Sequence, residues 1–128
     1  MSAPFVYVGT WTHKEDKIDE AEKWLAEYCE IVEANEPRLI AFQAFLSEDR
    51  RTASVVQVHP DADSMERHLA TLAEHYETAS RYIDEFVTDQ HFGTPTQSLR
   101  EKLAPWEDQI ETTWKPVYVG GFTRTTVR

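Results

Sequence analysis

Five stretches of the chain concentrate β-branched and aromatic residues without a helical period, which predicts β-strands. They are Phe5–Thr12, Arg38–Leu46, Ala53–His59, Phe86–Phe92 and Val117–Val127. The polar residues 47–52 predict a turn that joins the second and third strands into a hairpin. In the last stretch, the Gly120-Gly121 pair indicates a bulge or a close backbone approach.

Two long segments carry apolar residues at steps of three and four, which predicts amphipathic helices. The first begins at about Asp16 and ends at Asn35, because Pro37 pushes the residue before it out of the helical region. The second begins at Asp63, since Asp63-Ser-Met-Glu66 resembles a capping box, and runs to about Asp84.

Residues 97–103 predict a short third helix, with Thr96 as its N-cap and Pro105 as its limit, followed by a polar connection over residues 106–115. The order strand, helix, strand, strand, helix, strand is the split βαβ pattern of the ferredoxin-like fold. We therefore expect a single α+β domain over residues 1–128. Two long helices cover one face of its sheet, and the short helix and the C-terminal strand are additions.

The first three predicted strands are apolar on both faces, although two helices can cover only one face of a sheet. Burial of apolar surface is worth roughly 25 cal/mol per Å², so an uncovered face favours association. We expect a homodimer that forms through the sheet faces and closes a barrel between the subunits. The alternative is a monomer whose second face is capped by its own C-terminal segment.

The inner stripe of the second predicted helix carries ring side chains with polar atoms. Steps of three and four from Met65 reach His68, His75 and Tyr76. Because imidazole titrates near neutrality, His68 is a candidate cavity base or hydrogen-bond donor. The other interpretation is a histidine at the edge of the core that a backbone carbonyl satisfies.

Aromatic residues of the predicted strands and helices are candidates for the wall of a pocket, although such residues are more often simply core. They are Tyr7, Trp11, Phe42, Phe45, Tyr76 and Tyr82. Gln43 stands out because a polar side chain in an apolar strand needs a partner, which is a ligand, a water or the second subunit.

Composition and charge narrow the function further. The chain has 128 residues and a net charge of −10, which repels phosphate backbones and anionic lipid. No apolar run approaches the roughly 18 residues of a membrane span, and no targeting segment precedes the first strand. We expect a cytoplasmic protein that binds neither nucleic acid nor membranes.

The sequence gives no support for a metal or an organic cofactor. The lone Cys29 excludes an internal disulfide and a site built from several thiolates. His68 and His75 are seven residues apart, which is about 10 Å along a helix and too far for one metal ion. A P-loop, a dinucleotide fingerprint and a Gly-x-Ser-x-Gly motif are all missing from the sequence.

Several short passages resemble the dimeric α/β-barrel superfamily that includes the antibiotic-biosynthesis and quinol monooxygenases. The main passage is His59-Pro-Asp-Ala-Asp-Ser-Met-Glu-Arg-His-Leu69, which is similar to the strand-to-helix junction of that superfamily. Phe92-Gly-Thr-Pro-Thr-Gln-Ser-Leu99 and Gly120-Gly-Phe-Thr-Arg124 also look like passages of some members. By position, the helix histidine of the family corresponds to His68.

The haem-degrading branch of this superfamily is a poor match. It pairs the helix histidine with an asparagine on the first strand and a tryptophan on the third. Here the first predicted strand has no asparagine, and the third has no tryptophan. The resemblance therefore argues against haem.

The resemblance implies a cofactor-independent monooxygenase of a small phenol, quinol or polyketide-like aromatic. His68 would be the base in a dry apolar pocket. The expected substrate-binding residues are Tyr7, Trp11, Gln43, Phe45, His75 and Tyr76. Two alternatives stay open: a ligand-binding or structural homodimer without turnover, and an isomerase or lyase that uses the same histidine without oxygen.

Overall fold

The computed structural model describes residues 3–124. It contains five strands and three α-helices, with a 3₁₀ turn at Glu15–Lys17. In chain order these are β1 (Phe5–His13), α1 (Ile18–Asn35), β2 (Ala41–Leu46), β3 (Thr52–His59), α2 (Ala62–Ala79), β4 (Ile83–Phe92), α3 (Gln97–Glu107) and β5 (Glu111–Lys115).

The strands form one sheet in the order β2-β3-β1-β4-β5. The first four strands pair antiparallel, as in a split βαβ unit, and β5 pairs parallel to β4. This confirms the α+β prediction, the β2–β3 hairpin and the addition of a third helix and a C-terminal strand. No helix among residues 3–124 is long and apolar enough to cross a membrane.

The position of the last strand was predicted incorrectly. The structure places it at Glu111–Lys115, in the segment expected to be a connection, while residues 117–124 lie outside any strand. The rest of the predicted stretch, residues 125–128, is outside the described residues. Thr112 and Trp114 alternate inward on β5, but charged neighbours hide this period in the sequence, and Pro116 cannot donate to the ladder beyond it.

The bounds of α2 also differ from the prediction. Its N-cap is Asp61, whose side chain accepts a 3.0 Å hydrogen bond from the Ser64 amide, so the predicted capping box at Asp63 is not the start. The helix ends at Ala79 rather than near Asp84. β4 begins at Ile83, earlier than expected, because this residue pairs with β1 and tertiary pairing overrides the local helical pattern.

Helix α3 continues four residues beyond its predicted end at Leu103. Thr96 caps it as expected, since its hydroxyl oxygen accepts a 3.0 Å hydrogen bond from the Leu99 amide. Pro105 lies within the last turn and does not end the helix. Burial of Leu103 and, just beyond the helix, of Ile110 holds this end against the sheet.

The two faces of the sheet have different surroundings. On the helix-covered face, β1 and β3 bury every second side chain, including Phe5, Trp11 and Val55. The intervening side chains, such as Val8 and Val56, are half-buried on the other face. Within residues 3–124 no helix covers this second face, which we call the open face.

Candidate functional site

A cavity of about 90 Å³ lies between the covered face of the sheet and all three helices. A single water needs roughly 10–15 Å³ on this measure, so the cavity has room for several. Its wall is mostly apolar, and its aromatic side chains include Tyr7, Trp11, Tyr28, Phe42, Phe86 and Trp106. Such a mostly apolar, concave space with few polar groups is typical of small-molecule sites.

The residues expected at the site fall into two groups. Tyr7, Trp11, His68 and Tyr76 line the cavity. His75 is outside this lining, although its ring centroid lies 6.0 Å from that of Tyr28, which is part of the wall.

Gln43 and Phe45 are on the open face and do not reach the cavity. Successive side chains of a strand point to opposite faces, so β2 directs Phe42 and Ala44 toward the helices and its alternate residues away from them. Phe45 is 59% exposed. The sequence interpretation placed Phe42 and Phe45 in one pocket, which their odd spacing does not allow.

His68 is almost fully buried, and both of its ring nitrogens have partners. Its Nδ1 lies 2.8 Å from Oε2 of Glu36, the residue that follows α1, and its Nε2 lies 3.2 Å from the side-chain nitrogen of Gln57. With Glu36 ionised, Nδ1 donates and Nε2 accepts from the Gln57 amide. A neutral His68 is thus held in one tautomer, with its Nε2 lone pair toward Gln57.

The same hydrogen-bond chain continues to the end of β3. The side-chain oxygen of Gln57 lies 2.8 Å from His59 Nε2, and His59 Nδ1 lies 2.7 Å from the Ser64 hydroxyl. Burial and the neighbouring His68 lower the pKa of His59 to about 3, so His59 is neutral. It donates from Nε2 and accepts from Ser64, so the hydrogen bonds of the chain run in one direction. The second carboxylate oxygen of Glu36, Oε1, is buried without a hydrogen-bond partner among residues 3–124.

A second polar pair stands in the cavity wall on neighbouring strands. The Tyr7 hydroxyl donates a 2.6 Å hydrogen bond to Asp89 Oδ1. Asp89 is 8% exposed, and burial raises the pKa of its carboxyl group. Burial and the adjacent Asp89 also raise the pKa of Tyr7 well above its usual value. A buried carboxylate with a raised pKa in a cleft is a candidate acid or base.

Two more donors in this wall have no partner. Trp11 Nε1 and the Tyr28 hydroxyl are buried without a hydrogen bond among residues 3–124. Burial and the nearby charge of Glu36 raise the pKa of Tyr28, so its hydroxyl keeps its proton. Unpaired buried donors cost free energy, roughly 1–3 kcal/mol each, which a ligand oxygen would recover.

His91 is next to this wall but has a different role. Its ring stacks on Trp114 at 4.3 Å between centroids, and the Tyr7 ring lies 5.1 Å from its other side. Arg100 sits 4.5 Å above Trp114. Burial, followed by the charge of Arg100, lowers the pKa of His91 to about 4, so it packs as a neutral aromatic ring.

Sequence reasoning missed Glu36, Gln57 and Asp89. Gln57 had a usable signal, because it shares the inward period of β3 with Val55 and His59. Glu36 resembled an ordinary residue at a helix end before proline. Within the described residues no group of three or more His, Cys, Asp or Glu side chains could hold a metal ion.

Comparisons with known proteins place this architecture among solved structures. No protein-family model and no curated protein matches the chain. MupZ from Pseudomonas fluorescens superimposes with a TM-score of 0.79 at 18% identity and covers 100% of this chain and 94% of its own. A mutant of SnoaB, a cofactor-independent oxygenase from Streptomyces nogalater, gives a TM-score of 0.56 at 17% identity over 70% of this chain and 89% of its own.

A third structure, described as an antibiotic biosynthesis monooxygenase, gives a TM-score of 0.53 at 20% identity over 63% of this chain and 87% of its own. At these identities the likeness is one of fold. The chain therefore shares the fold of the antibiotic-biosynthesis-monooxygenase-like structures, as the sequence resemblance implied.

Proposed function

We propose that this chain is a cofactor-independent monooxygenase of a small phenolic, quinol or polyketide-like aromatic, and that it works in the cavity under α2. The observation that carries the proposal is the pairing of an aromatic-walled cavity with a buried histidine, His68, that a carboxylate orients. The fold shared with SnoaB supports it. An apolar site of this kind excludes water and keeps an electron-rich anion reactive.

The reaction needs a base before it needs oxygen. Removing a proton from the substrate hydroxyl gives a phenolate, which reduces O₂. One oxygen atom enters the ring to give a quinone, and the other leaves as water. No external reductant is required, because the ring supplies the electrons.

We assign the base to His68. Glu36 holds its Nδ1–H, as a carboxylate does in triads in which a third group orients the base. The Nε2 atom carries the lone pair, and its contact to Gln57 at 3.2 Å is the longest of the chain. A substrate hydroxyl would replace the Gln57 amide at this nitrogen. Trp11 Nε1–H and the Tyr28 hydroxyl, which have no partner among residues 3–124, are then available to hold the substrate oxygens.

The test is oxygen uptake with a panel of hydroquinones and naphthols, with product formation followed in the same vessel. We expect one O₂ consumed for each ring that gains an oxygen atom, without release of hydrogen peroxide, and a loss of roughly 10²-fold or more in His68→Ala, the usual scale for a general base. His75→Ala, on the same helix but outside the lining, is the matched control. Equal turnover by His68→Ala and the parent would overturn the assignment.

A second candidate is an isomerase or lyase that uses acid–base chemistry without oxygen. The Asp89–Tyr7 pair favours it, because a carboxylate of raised pKa beside a phenol supplies both an acid and a base. Turnover that persists under argon would select this candidate.

The remaining alternative is a binding or structural protein without turnover. A tightly filled interior would have favoured a purely structural role, and the cavity of about 90 Å³ weighs against that version. Saturable binding of aromatic probes, with neither oxygen uptake nor chemical change, would show a protein that binds a ligand without turnover.

We further propose that the protein is a homodimer joined through the open face of the sheet. Phe45 projects from β2 on this face and is 59% exposed. Beyond β5, Val119 and Phe122 are 97% and 80% exposed, which a partner would cover. Light scattering should give about 30 kDa, twice the 14.9 kDa of the chain, and Phe45→Glu should halve it. A parent mass near 15 kDa at micromolar concentration would refute the dimer.

A further inference from the structure

A second cavity, which we call the outer groove, lies between α2 and α3. Its volume is about 540 Å³, and it is more open than the inner cavity. Its apolar lining is Leu69, Ala70, Leu72, Ala73, Tyr76 and Trp106. Glu66 and Lys102 supply its polar groups. The groove is therefore an apolar channel with an ion pair in its wall.

The outer groove adjoins the inner cavity. Four side chains line both spaces: Leu69, Leu72, Tyr76 and Trp106. The rings of Tyr76 and Trp106 stand 6.0 Å apart at this shared boundary, and Tyr76 is 39% exposed. These side chains stand between the two spaces, so a ligand that extends past them out of the inner cavity would enter the groove.

The two volumes together suit a ligand that occupies both spaces. Pockets for small molecules commonly measure about 300–1,000 Å³. The inner cavity, at about 90 Å³, is below this range and has room for little more than an aromatic ring, whereas the two spaces together fall within it. From Glu66 to Tyr76 the axis of α2 rises about 15 Å, which is enough for a chain of several carbons.

The shape of the groove is fixed by polar contacts at one end. Glu66 on α2 accepts hydrogen bonds from Thr96 at 2.9 Å, Ser98 at 2.6 Å and Lys102 at 3.0 Å. These contacts hold α3 against α2, and the lysine charge is already neutralised. Ala70 and Ala73, both exposed, place only methyl groups along the groove, so the space between the helices stays open.

We propose that the outer groove is a subsite for an unbranched apolar chain on the ligand whose ring enters the inner cavity. The ligand class is then a phenol or quinol that carries an alkyl or reduced polyketide chain. The assignment of the aromatic ring to the inner cavity rests on the proposed function, whereas the subsite for the alkyl chain rests on the groove itself. Because the groove is apolar along most of its length, we expect the part of the alkyl chain next to the ring to carry no charge.

The test uses 4-alkylphenols from methyl to hexyl as probes. Their binding to the 128-residue protein is measured by calorimetry in the absence of oxygen. Each methylene should tighten binding by up to about fourfold until the groove is filled. The Ala73→Trp variant places an indole in the groove and should bring the hexyl-to-methyl affinity ratio close to one. Ala70→Trp is a second filling variant, and thermal melting checks that both are folded. Ala26→Trp, at an exposed position of α1 outside both cavities, is the matched control and should keep the parent ratio.

The outcomes separate this inference from the proposed function. An affinity that does not rise with chain length in the parent, or a ratio left intact by both filling variants, overturns the subsite even if short phenols are oxidised. A rise with chain length that only the filling variants abolish supports the subsite, even if no phenol is turned over. Failure of every probe to bind overturns the subsite as well.

Discussion

Glu36 Oε2 lies 2.8 Å from His68 Nδ1, which joins the residue after α1 to the middle of α2, and both side chains are at least 96% buried. The two residues are 32 positions apart in the chain, so the contact exists only once both helices pack on the sheet. It anchors a chain of hydrogen bonds through Gln57 to His59. Removing a side chain at the Glu36 end of these hydrogen bonds should therefore affect the residues at the His59 end.

Removing either partner of this pair alone should destabilise the protein. Glu36→Leu leaves His68 Nδ1–H buried without an acceptor, and we expect a loss of about 1–3 kcal/mol in the free energy of unfolding. His68→Leu leaves the carboxylate buried without a donor and should cost at least as much. The double variant should cost clearly less than the sum, since the two hydrophobic side chains can pack together. Urea unfolding of the four proteins gives the coupling energy, and strict additivity would show that the contact is not formed in solution.

The buried carboxylate of Asp89 should reduce stability at neutral pH. Its folded-state pKa is raised by burial, so the folded protein holds this proton more tightly than the unfolded chain does. The resulting penalty is present above the folded pKa and disappears as the pH falls below the ordinary value near 4.

Asp89→Asn keeps an oxygen for the Tyr7 hydroxyl and removes the charge. We expect the variant to be more stable than the parent by about 1 kcal/mol at pH 7, with little difference at pH 4, and to be impaired if Asp89 takes part in turnover. Thermal melts at the two pH values measure this, with the exposed Asp108→Asn as control. A variant less stable than the parent at pH 7 would contradict the penalty.

The strands and helices of the fold were easier to predict from the sequence than the contacts between their side chains. β1 and β3 were placed almost to the residue, because both stretches are rich in β-branched and aromatic residues and have no helical period. The end of α2 and the position of β5 depend on which strand each segment pairs with, and that information is not local. Helical periodicity continues to Tyr82 in the sequence, but Ile83 is drawn into pairing with His13.

The same contrast between local sequence patterns and long-range pairing explains which residues of the candidate site were predicted. His68 was found because its spacing puts it on the inner stripe of a helix. Asp89 lies in a polar run of β4, and only the register Gly9 to Asp89 directs it to the covered face beside Tyr7. Gln43 was selected as the polar residue of an apolar strand, whereas the buried glutamine of the hydrogen-bond chain is Gln57 on the next strand.

His91 should make the protein sensitive to mild acid. Its folded-state pKa, about 4, is below the usual 6.5, so between these values the unfolded chain binds a proton that the folded protein does not. The stability that comes from neutral His91 is therefore complete above about pH 6.5 and is lost as the pH falls toward 4, at up to about 1.4 kcal/mol per pH unit.

The variant His91→Phe keeps the ring that stacks on Trp114 and removes the titration. Urea unfolding between pH 7 and pH 4.5 should show a shallower decline for this variant than for the parent. His75→Phe, on the half-exposed side of α2, should keep the parent slope. Parallel stability curves for the His91→Phe variant and the parent would show that His91 is protonated in the folded state at these pH values.

Glu66 should control how firmly α3 is held, because one carboxylate accepts hydrogen bonds from three residues on or just before that helix. Glu66→Ala removes all three contacts at once and leaves the cap between Thr96 and the Leu99 amide in place. Each contact is partly exposed, so we expect a modest loss in global stability, about 1 kcal/mol or less, together with a larger local effect. Amide hydrogen exchange over residues 99–107 should accelerate severalfold while exchange in β1 and β3 is unchanged.

Glu101→Ala, exposed on α3 itself, is the matched control and should leave these rates as they are. If exchange in α3 were the same in the Glu66→Ala variant and the parent, the helix would be held by Leu99 and Leu103 alone, and the groove beside it would not depend on the Glu66 contacts.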